Sequence, residues 1–199
     1  MVSIIFKDRD GQTPLPPELR KGLKHKMIQT IGELDEYEEA NIAEGIAWLN
    51  GQNHTDYLDY AFWTKLHKNL FGDVWSWAGQ VRKHELNNPD FLRPHEIWSA
   101  LRVLEQDAKF WLDSDTYPTK EIMARIHERL LTIHPFPNGN GRLSRILIDH
   151  MCKQIGLPAP KWGSEFIKDD KLRRKKYIRS IEEGRKSFDF KSLETFIFD

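Results

Sequence analysis

The sequence predicts a mostly α-helical domain that carries one small β-hairpin. Apolar residues recur at spacings of three and four along most of the chain, which is the period of an α-helix. Residues 71–94 lose this period and are punctuated by glycine, asparagine and proline. Such punctuation indicates a loop and then a short hairpin, which we expect to turn near residues 87–90 between flanks at 81–86 and 91–92.

Helical periodicity defines the remaining elements. The first predicted helix covers residues 33–49, and one of its stripes carries Leu34, Tyr37, Asn41, Glu44 and Trp48. Asp56, after a polar break, is the predicted N-cap of the second helix. Further helices are predicted over residues 95–113, 119–133, 169–184 and 190–198, and another carries Leu143, Ile146, Leu147 and Met151 and ends at residues 156–158. Residues 6–17 contain three prolines and predict an extended arm instead.

Composition excludes several classes of protein. The 199 residues carry 30 Lys+Arg and 30 Asp+Glu, so the zero net charge offers no general attraction to nucleic acid or to an anionic membrane. The single cysteine, Cys152, excludes an intramolecular disulfide framework and a multi-cysteine zinc site. No apolar stretch approaches the roughly 18 residues that a membrane span needs. We therefore expect a cytoplasmic protein that binds neither nucleic acid nor membrane directly.

Residues 134–145, HPFPNGNGRLSR, place a base, a glycine-rich turn and two positive charges between two predicted helices. Glycines allow backbone angles that other residues avoid, and they let a ligand approach the main-chain N–H groups. Arg142 and Arg145 lie three positions apart and share a helix face, and arginine matches phosphate oxygens. His134 can act as a base near neutral pH. The segment therefore predicts a polyphosphate site with a general base at its rim.

This segment resembles the signature of Fic-domain proteins, HxFx(D/E)GNGRxxR, at every fixed position but one. The predicted hairpin resembles the flap of that family, so a Fic-type helical domain with a small β-hairpin flap is expected. Residues 11–49 and the sequence WSWAG at 75–79 resemble the bacterial subgroup called mobile mystery protein B. The resemblance implies an N-terminal arm and inhibitory helix in residues 1–55, a Fic core in 56–155, and a C-terminal helical extension packed on it in 156–199.

Fic proteins typically transfer AMP from ATP to a protein hydroxyl, and the resemblance implies the same reaction here, with Ser, Thr or Tyr as the acceptor. It implies that His134 is the catalytic base and that Arg142 stabilises the charge that develops. Arg145 would hold the distal phosphate, and Phe136 would pack inward and fix the loop. The residues expected around the nucleotide are Phe136, Asn138, Gly139, Asn140, Gly141, Arg142 and Arg145.

The departure from the signature is Asn138, where the family has Asp or Glu to help hold Mg²⁺. An amide oxygen can still be a ligand for Mg²⁺ or Mn²⁺, but it brings no charge and should bind the metal more weakly. Two other interpretations therefore stay open. One is a nucleotide-binding regulatory module with little catalysis, and the other is a Fic relative that transfers UMP or phosphate.

A glutamate upstream of the signature is the expected inhibitor. Many Fic proteins carry a helix with the pattern (S/T)xxxE(G/N), whose glutamate pairs with the second arginine of the signature. Residues 40–45, ANIAEG, resemble this pattern except at Ala40, so we expect Glu44 to pair with Arg145 and inhibit transfer. Glu183 in RSIEEG is a rival match. The subgroup also implies a helix-turn-helix, antitoxin-like partner, with this chain as the toxin or regulator.

Overall fold

The computed structural model describes residue 15, residues 20–52 and residues 56–199, so most of the predicted arm lies outside the described residues. The helices are α1 (Ile31–Asn50), α2 (Tyr60–Phe71), α3 (Ile97–Asp113), α4 (Thr119–Ile133), α5 (Asn140–Gln154), α6 (Asp170–Ser187) and α7 (Lys191–Phe198). Short 3₁₀ turns lie at Pro94–Glu96 and Ser164–Phe166. The mostly α-helical class is confirmed. None of the described helices combines the length and apolarity that crossing a membrane requires.

Side-chain caps explain where the first two helices begin. Thr30 and Glu33 form a capping box at α1: the Thr30 hydroxyl accepts from the Glu33 N–H at 3.2 Å, and the Glu33 carboxylate accepts from the Thr30 N–H at 3.1 Å. At α2 the N-cap is Asp59, which accepts from the Ala61 N–H at 2.7 Å. The predicted cap, Asp56, instead accepts from the Leu58 N–H at 3.1 Å in the preceding turn, so the cap of α2 was predicted three residues early.

Helix α4 lies at the centre of the fold. It packs against α3, α5, α6 and α7, while α1 packs on α2, and α2 packs on α5. Its buried apolar residues are Ile122, Met123, Ala124, Ile126, Leu130, Leu131 and Ile133. The segment that follows α4 therefore begins at a helix whose position is fixed by four neighbouring helices.

One buried asparagine fixes α1 to the end of α2. The Asn41 amide nitrogen donates to the Asn69 carbonyl and to the Asp73 carboxylate, both at 3.1 Å, and its oxygen accepts from the Asp73 N–H at 2.9 Å. Gly45 allows this close approach, because a Cβ there would lie 2.8 Å from the Asn69 carbonyl oxygen. These contacts determine which face of α1 turns toward the rest of the protein.

The predicted hairpin is not present. Residues 81–93, which we call the flap loop, form an irregular loop without paired strands. Both limbs of the loop bond to the end of α4 and the turn after it: the Arg82 N–H donates to the Pro135 carbonyl at 2.9 Å, and the Leu92 N–H donates to the Thr132 carbonyl at 3.2 Å. The buried Arg82 guanidinium lies between the two limbs and donates to the carbonyls of His84, at 3.0 Å, and Leu92. It replaces the ladder that a hairpin would have formed.

Candidate active site

His134 ends α4 with a left-handed backbone, at φ 47°. Pro135 follows it and disfavours continuation of the helix. The His134 Nδ1 lies 3.2 Å from the Leu131 carbonyl oxygen, to which a ring nitrogen can only donate. The bond therefore fixes the tautomer and leaves Nε2 as the acceptor, which is the atom that a general base would use.

Two residues of the flap loop contact His134. The Phe91 ring stacks on the imidazole with the centroids 3.7 Å apart, and Arg82 Nε donates to the His134 carbonyl at 2.7 Å. Burial lowers the pKa of His134 to about 4, with smaller contributions from the charges of Arg82 and Arg185 and against the effect of the Leu131 bond. The ring is therefore neutral at pH 7 and able to accept a proton.

Asn140 closes the turn that joins α4 to α5. Its side-chain oxygen accepts from the Phe136 N–H at 2.9 Å, and its side-chain nitrogen donates to the Phe136 carbonyl at 2.8 Å. Gly139 has a φ of 82°, and a Cβ there would lie 2.7 Å from the Phe71 ring, so the turn requires glycine. Because the Asn140 amide is used by the turn, the contact with nucleotide expected of this residue would have to come from its backbone.

His67 of α2 contacts the same turn through a hydrogen bond and a ring stack. Its Nδ1 accepts from the Gly79 N–H at 3.0 Å, so Nε2 carries the proton and donates to the Asn138 carbonyl at 3.0 Å. Its ring stacks on Phe136 with the centroids 3.8 Å apart, and burial lowers its pKa to about 3. Sequence reasoning missed this role, since the bond to Asn138 spans 71 positions and no local pattern signals it.

Asn138 is exposed, and its side-chain oxygen accepts from the neighbouring Gly139 N–H at 2.7 Å. Within the described ranges, no three His, Cys, Asp or Glu side chains form a group that could hold a metal ion. A single neutral oxygen that already accepts a hydrogen bond does not fit a resident divalent cation, which favours carboxylates. We therefore assign no chemical step at this site to a protein-held metal.

Arg142, in the first turn of α5, forms an ion pair with α1. Its Nη1 lies 2.5 Å from a carboxylate oxygen of Glu38, and the other oxygen accepts from the Trp75 indole N–H at 2.6 Å. Both charged side chains are largely buried, with 16% of the Arg142 side chain and 6% of the Glu38 side chain exposed. The Arg142 guanidinium also lies over the Phe71 ring, 4.7 Å from its centroid. A carboxylate thus occupies the position where an anionic ligand would meet Arg142.

The prediction that Glu44 pairs with Arg145 is wrong. Glu44 is exposed, and no ion pair links it to any residue that the structure describes. The predicted stripe included Glu44, but the helix buries a neighbouring face that includes Glu38 instead. The buried residues of α1 are Ile31, Leu34, Glu38, Asn41, Ile42, Gly45 and Leu49. The rival Glu183 pairs with its neighbour Arg179 at 2.7 Å on an exposed part of α6.

Arg145 is 5% exposed and contacts the C-terminal part of the chain. Its Nη1 lies 3.4 Å from the Tyr177 hydroxyl of α6 and would lie 3.6 Å from a Cβ at Gly141. The guanidinium therefore lies close to the second glycine of the turn, beside the start of α5. Sequence reasoning predicted Arg145 as a site residue but did not predict Tyr177 as its neighbour.

The arrangement can bind an anion beside a base. The first bond within α5 runs from the Leu143 N–H to the Gly139 carbonyl at 2.9 Å, so the N–H groups of residues 140–142 precede the helical ladder. A helix N-terminus of this kind attracts phosphate, and two guanidinium groups add positive charge there. The neutral His134 ring lies at the other end of the same turn. Together these features define a candidate site for transfer of a phosphorus-containing group to a nucleophile.

Comparison with known families agrees with this class of site. The model of the Fic/DOC family matches residues 57–152, and this part of the chain belongs to that family. The match includes α2, α3, α4 and most of α5, but neither α1 nor α6, which carry Glu38 and Tyr177.

Two curated relatives are nucleotidyl transferases. The protein adenylyltransferase Fic of Aedes aegypti is 26% identical over 157 residues, or 75% of this chain and 31% of that protein. The uridine 5'-monophosphate transferase of Xanthomonas campestris pv. campestris (strain 8004) is 28% identical over 130 residues, or 54% of this chain and 24% of that protein. This chain thus spans about a third or less of the length of these relatives.

The fold is shared with a solved structure of a bacterial effector protein. The crystal structure of the BepC protein of Bartonella tribocorum, a VirB-translocated Bartonella effector protein with bound AMPPNP, matches with a TM-score of 0.63 at 17% identity. The match covers 89% of this chain and 94% of that chain. At this identity the likeness establishes the fold alone.

Proposed function

We propose that this chain transfers AMP from ATP to a Ser, Thr or Tyr hydroxyl of a target protein. One observation carries the proposal. A neutral His134 ring, with Nε2 as its acceptor, lies at one end of a turn, and the N-terminus of α5 with its two arginines lies at the other end. The family and its nucleotidyl-transferring relatives support the same class of reaction. The relative from Xanthomonas makes UMP the alternative group to be transferred.

In this proposal, His134 Nε2 takes the proton of the acceptor hydroxyl while the hydroxyl oxygen attacks the α-phosphorus and pyrophosphate leaves. Backbone N–H groups of residues 140–142 and the Arg142 guanidinium stabilise the charge on the phosphoryl oxygens. Arg145 holds the distal phosphate, as expected from the resemblance. The protein supplies positioning and charge, with no covalent intermediate on the enzyme.

Glu38, rather than Glu44, is the residue that we propose to inhibit the reaction. Its carboxylate pairs with Arg142 at 2.5 Å, and the Trp75 indole holds it there. A nucleotide phosphate that uses Arg142 must displace this carboxylate, because two anions cannot share the guanidinium without repulsion. The inhibition would act within one chain, since both partners belong to it.

The position of Asn138 favours a second candidate function, a regulatory module that binds nucleotide with little turnover. Its exposed amide offers no charge to a cation that accompanies the nucleotide. In either case the partner would be a protein, and an antitoxin-like partner is a proposal from the subgroup resemblance.

The test is label transfer from ATP labelled on the α-phosphate, to the protein itself and to proteins of a cell lysate. We compare wild type with Glu38→Gln, Glu44→Gln and Glu38→Gln/His134→Ala. The two single variants are matched, because both remove one carboxylate from α1 while only Glu38 contacts Arg142. We expect Glu38→Gln to transfer more label than wild type, Glu44→Gln to equal wild type, and the double variant to transfer none.

Each other outcome contradicts a stated part of the proposal. Equal labelling with and without His134 would exclude this residue as the base. Bound ATP with no label on any protein, even in Glu38→Gln, would favour the regulatory module. More label from UTP than from ATP would identify the alternative nucleotide.

A further inference from the structure

A buried row of four polar side chains connects α6 to the signature segment. Arg145 Nη1 lies 3.4 Å from the Tyr177 hydroxyl, which lies 2.8 Å from His127 Nε2. His127 Nδ1 lies 2.6 Å from the Ser144 hydroxyl. These side chains belong to residues that are at most 7% exposed, so water does not compete for the bonds.

The chemistry of the four groups fixes the direction of the first bond. A guanidinium has no acceptor, so Arg145 donates to the Tyr177 oxygen. Burial lowers the pKa of His127 well below its usual value, so the ring is neutral. The Tyr177 O–H can then donate to His127 Nε2, which leaves the proton on Nδ1 to be donated to Ser144. The Ser144 hydroxyl in turn lies 3.5 Å from the His127 carbonyl, which can accept from it.

Each member of the row is thereby hydrogen-bonded to the next. Tyr177 is also packed by rings, with centroid distances of 5.4 Å to Phe196 and 5.8 Å to His127. Its own ring lies 5.6 Å from the Arg145 guanidinium carbon. A buried row of hydrogen-bonded polar groups resists rearrangement, and removing one member takes a hydrogen bond from the next. The orientation of Arg145 therefore depends on a residue 32 positions further along the chain.

We propose that Tyr177 is a positioning residue, which holds the Arg145 guanidinium in the orientation that binds a nucleotide phosphate. The inference rests on the proposed function, in which Arg145 contacts the distal phosphate. Tyr177 itself touches neither the nucleotide nor the acceptor. It is contributed by α6, beyond the residues that match the family model, so the C-terminal extension completes the phosphate site.

The test measures binding of ATP and of adenosine by titration calorimetry, with steady-state transfer beside it. The parent is the full chain carrying Glu38→Gln, in which Arg142 has lost its carboxylate partner. Tyr177→Phe keeps the packed ring and removes only the hydroxyl. Ser180→Ala is the matched control, because Ser180 is a buried hydroxyl of the same helix that bonds only to the Tyr177 carbonyl, at 2.9 Å.

Loss of a hydrogen bond to a charged group predicts a roughly tenfold weaker affinity for ATP in Tyr177→Phe. Adenosine affinity should not change, because adenosine has no phosphate, and the KM for ATP should rise more than kcat falls. Ser144→Ala, at the far end of the row, should also lower the affinity for ATP, by about threefold. Ser180→Ala should bind both ligands like the parent.

Two results would overturn the inference. One is unchanged ATP affinity in both Tyr177→Phe and Ser144→Ala. The other is an equal loss of ATP and adenosine affinity, which would mean a general structural defect. If the Glu38→Gln parent binds no ATP, the proposed function is refuted. This failure differs from failure of the inference about Tyr177, which appears only when the variants are compared with a parent that binds ATP. Should Tyr177→Phe be too unstable to purify, the Ser144→Ala result decides alone.

Discussion

Replacing Arg82 with lysine tests how the flap loop is held over His134. Arg82 is 3% exposed and donates to three carbonyls, those of His134, His84 and Leu92. Each hydrogen bond from a charged donor is worth about 1.5–3 kcal/mol, and a lysine ammonium cannot reach three carbonyls that a planar guanidinium spans. If one or two bonds are lost, the free energy of unfolding should fall by about 2–4 kcal/mol.

The assay is urea unfolding followed by tryptophan fluorescence, together with tryptic cleavage after Lys83, which is exposed in the loop. Arg102→Lys is the matched control, because Arg102 is exposed on α3 and should change stability by less than about 0.5 kcal/mol. Faster cleavage of the loop in Arg82→Lys should accompany the lower stability. An Arg82→Lys protein as stable and as slowly cleaved as the control would refute the reasoning.

Three further predictions follow from the same geometry. The pKa values of His134 and His67, about 4 and about 3, lie below the ordinary 6.5, so the stability that their neutral forms give is complete above pH 6.5 and is lost on acidification. The free energy of unfolding should fall by up to about 1.4 kcal/mol per pH unit for each histidine, and urea titrations at several pH values measure this. Gly139→Ala should lose more stability in thermal unfolding than Gly156→Ala, because both have positive φ but only Gly139 lacks room for a Cβ. Asn138→Asp should lower the Mg²⁺ concentration needed for half-maximal transfer, whereas an unchanged Mg²⁺ dependence would contradict our interpretation of that position.

Long periodic segments made most of the fold predictable from the sequence. Helix α4 was predicted over residues 119–133 and begins and ends there in the structure. Its apolar residues repeat every four positions, and Pro118 and Pro135 flank the element and the turn after it. The signature segment was predictable for the same reason, since its base, glycines and arginines are neighbours in sequence.

The errors arose where the decisive contacts are distant in sequence. The stripe predicted for α1 favoured Glu44 because spacings of three and four leave more than one face possible. The true buried face includes the polar Glu38 and Asn41, which apolar periodicity does not mark. Likewise, turn residues and the loss of helical period predicted a hairpin at residues 81–92, but they could not show that Arg82 bonds to His134, 52 positions away.

The two arginines of the signature are contacted from opposite ends of the chain. Glu38 of α1 pairs with Arg142, and Tyr177 of α6 bonds to Arg145, yet both partners lie outside the residues that match the family. A carboxylate neutralises the arginine it meets and competes with a phosphate, whereas a tyrosine hydroxyl orients its arginine and leaves the charge available. The N-terminal segment should therefore control whether nucleotide binds, and the C-terminal extension should control how well its phosphates are held. Glu38→Gln and Tyr177→Phe should accordingly change ATP affinity in opposite directions.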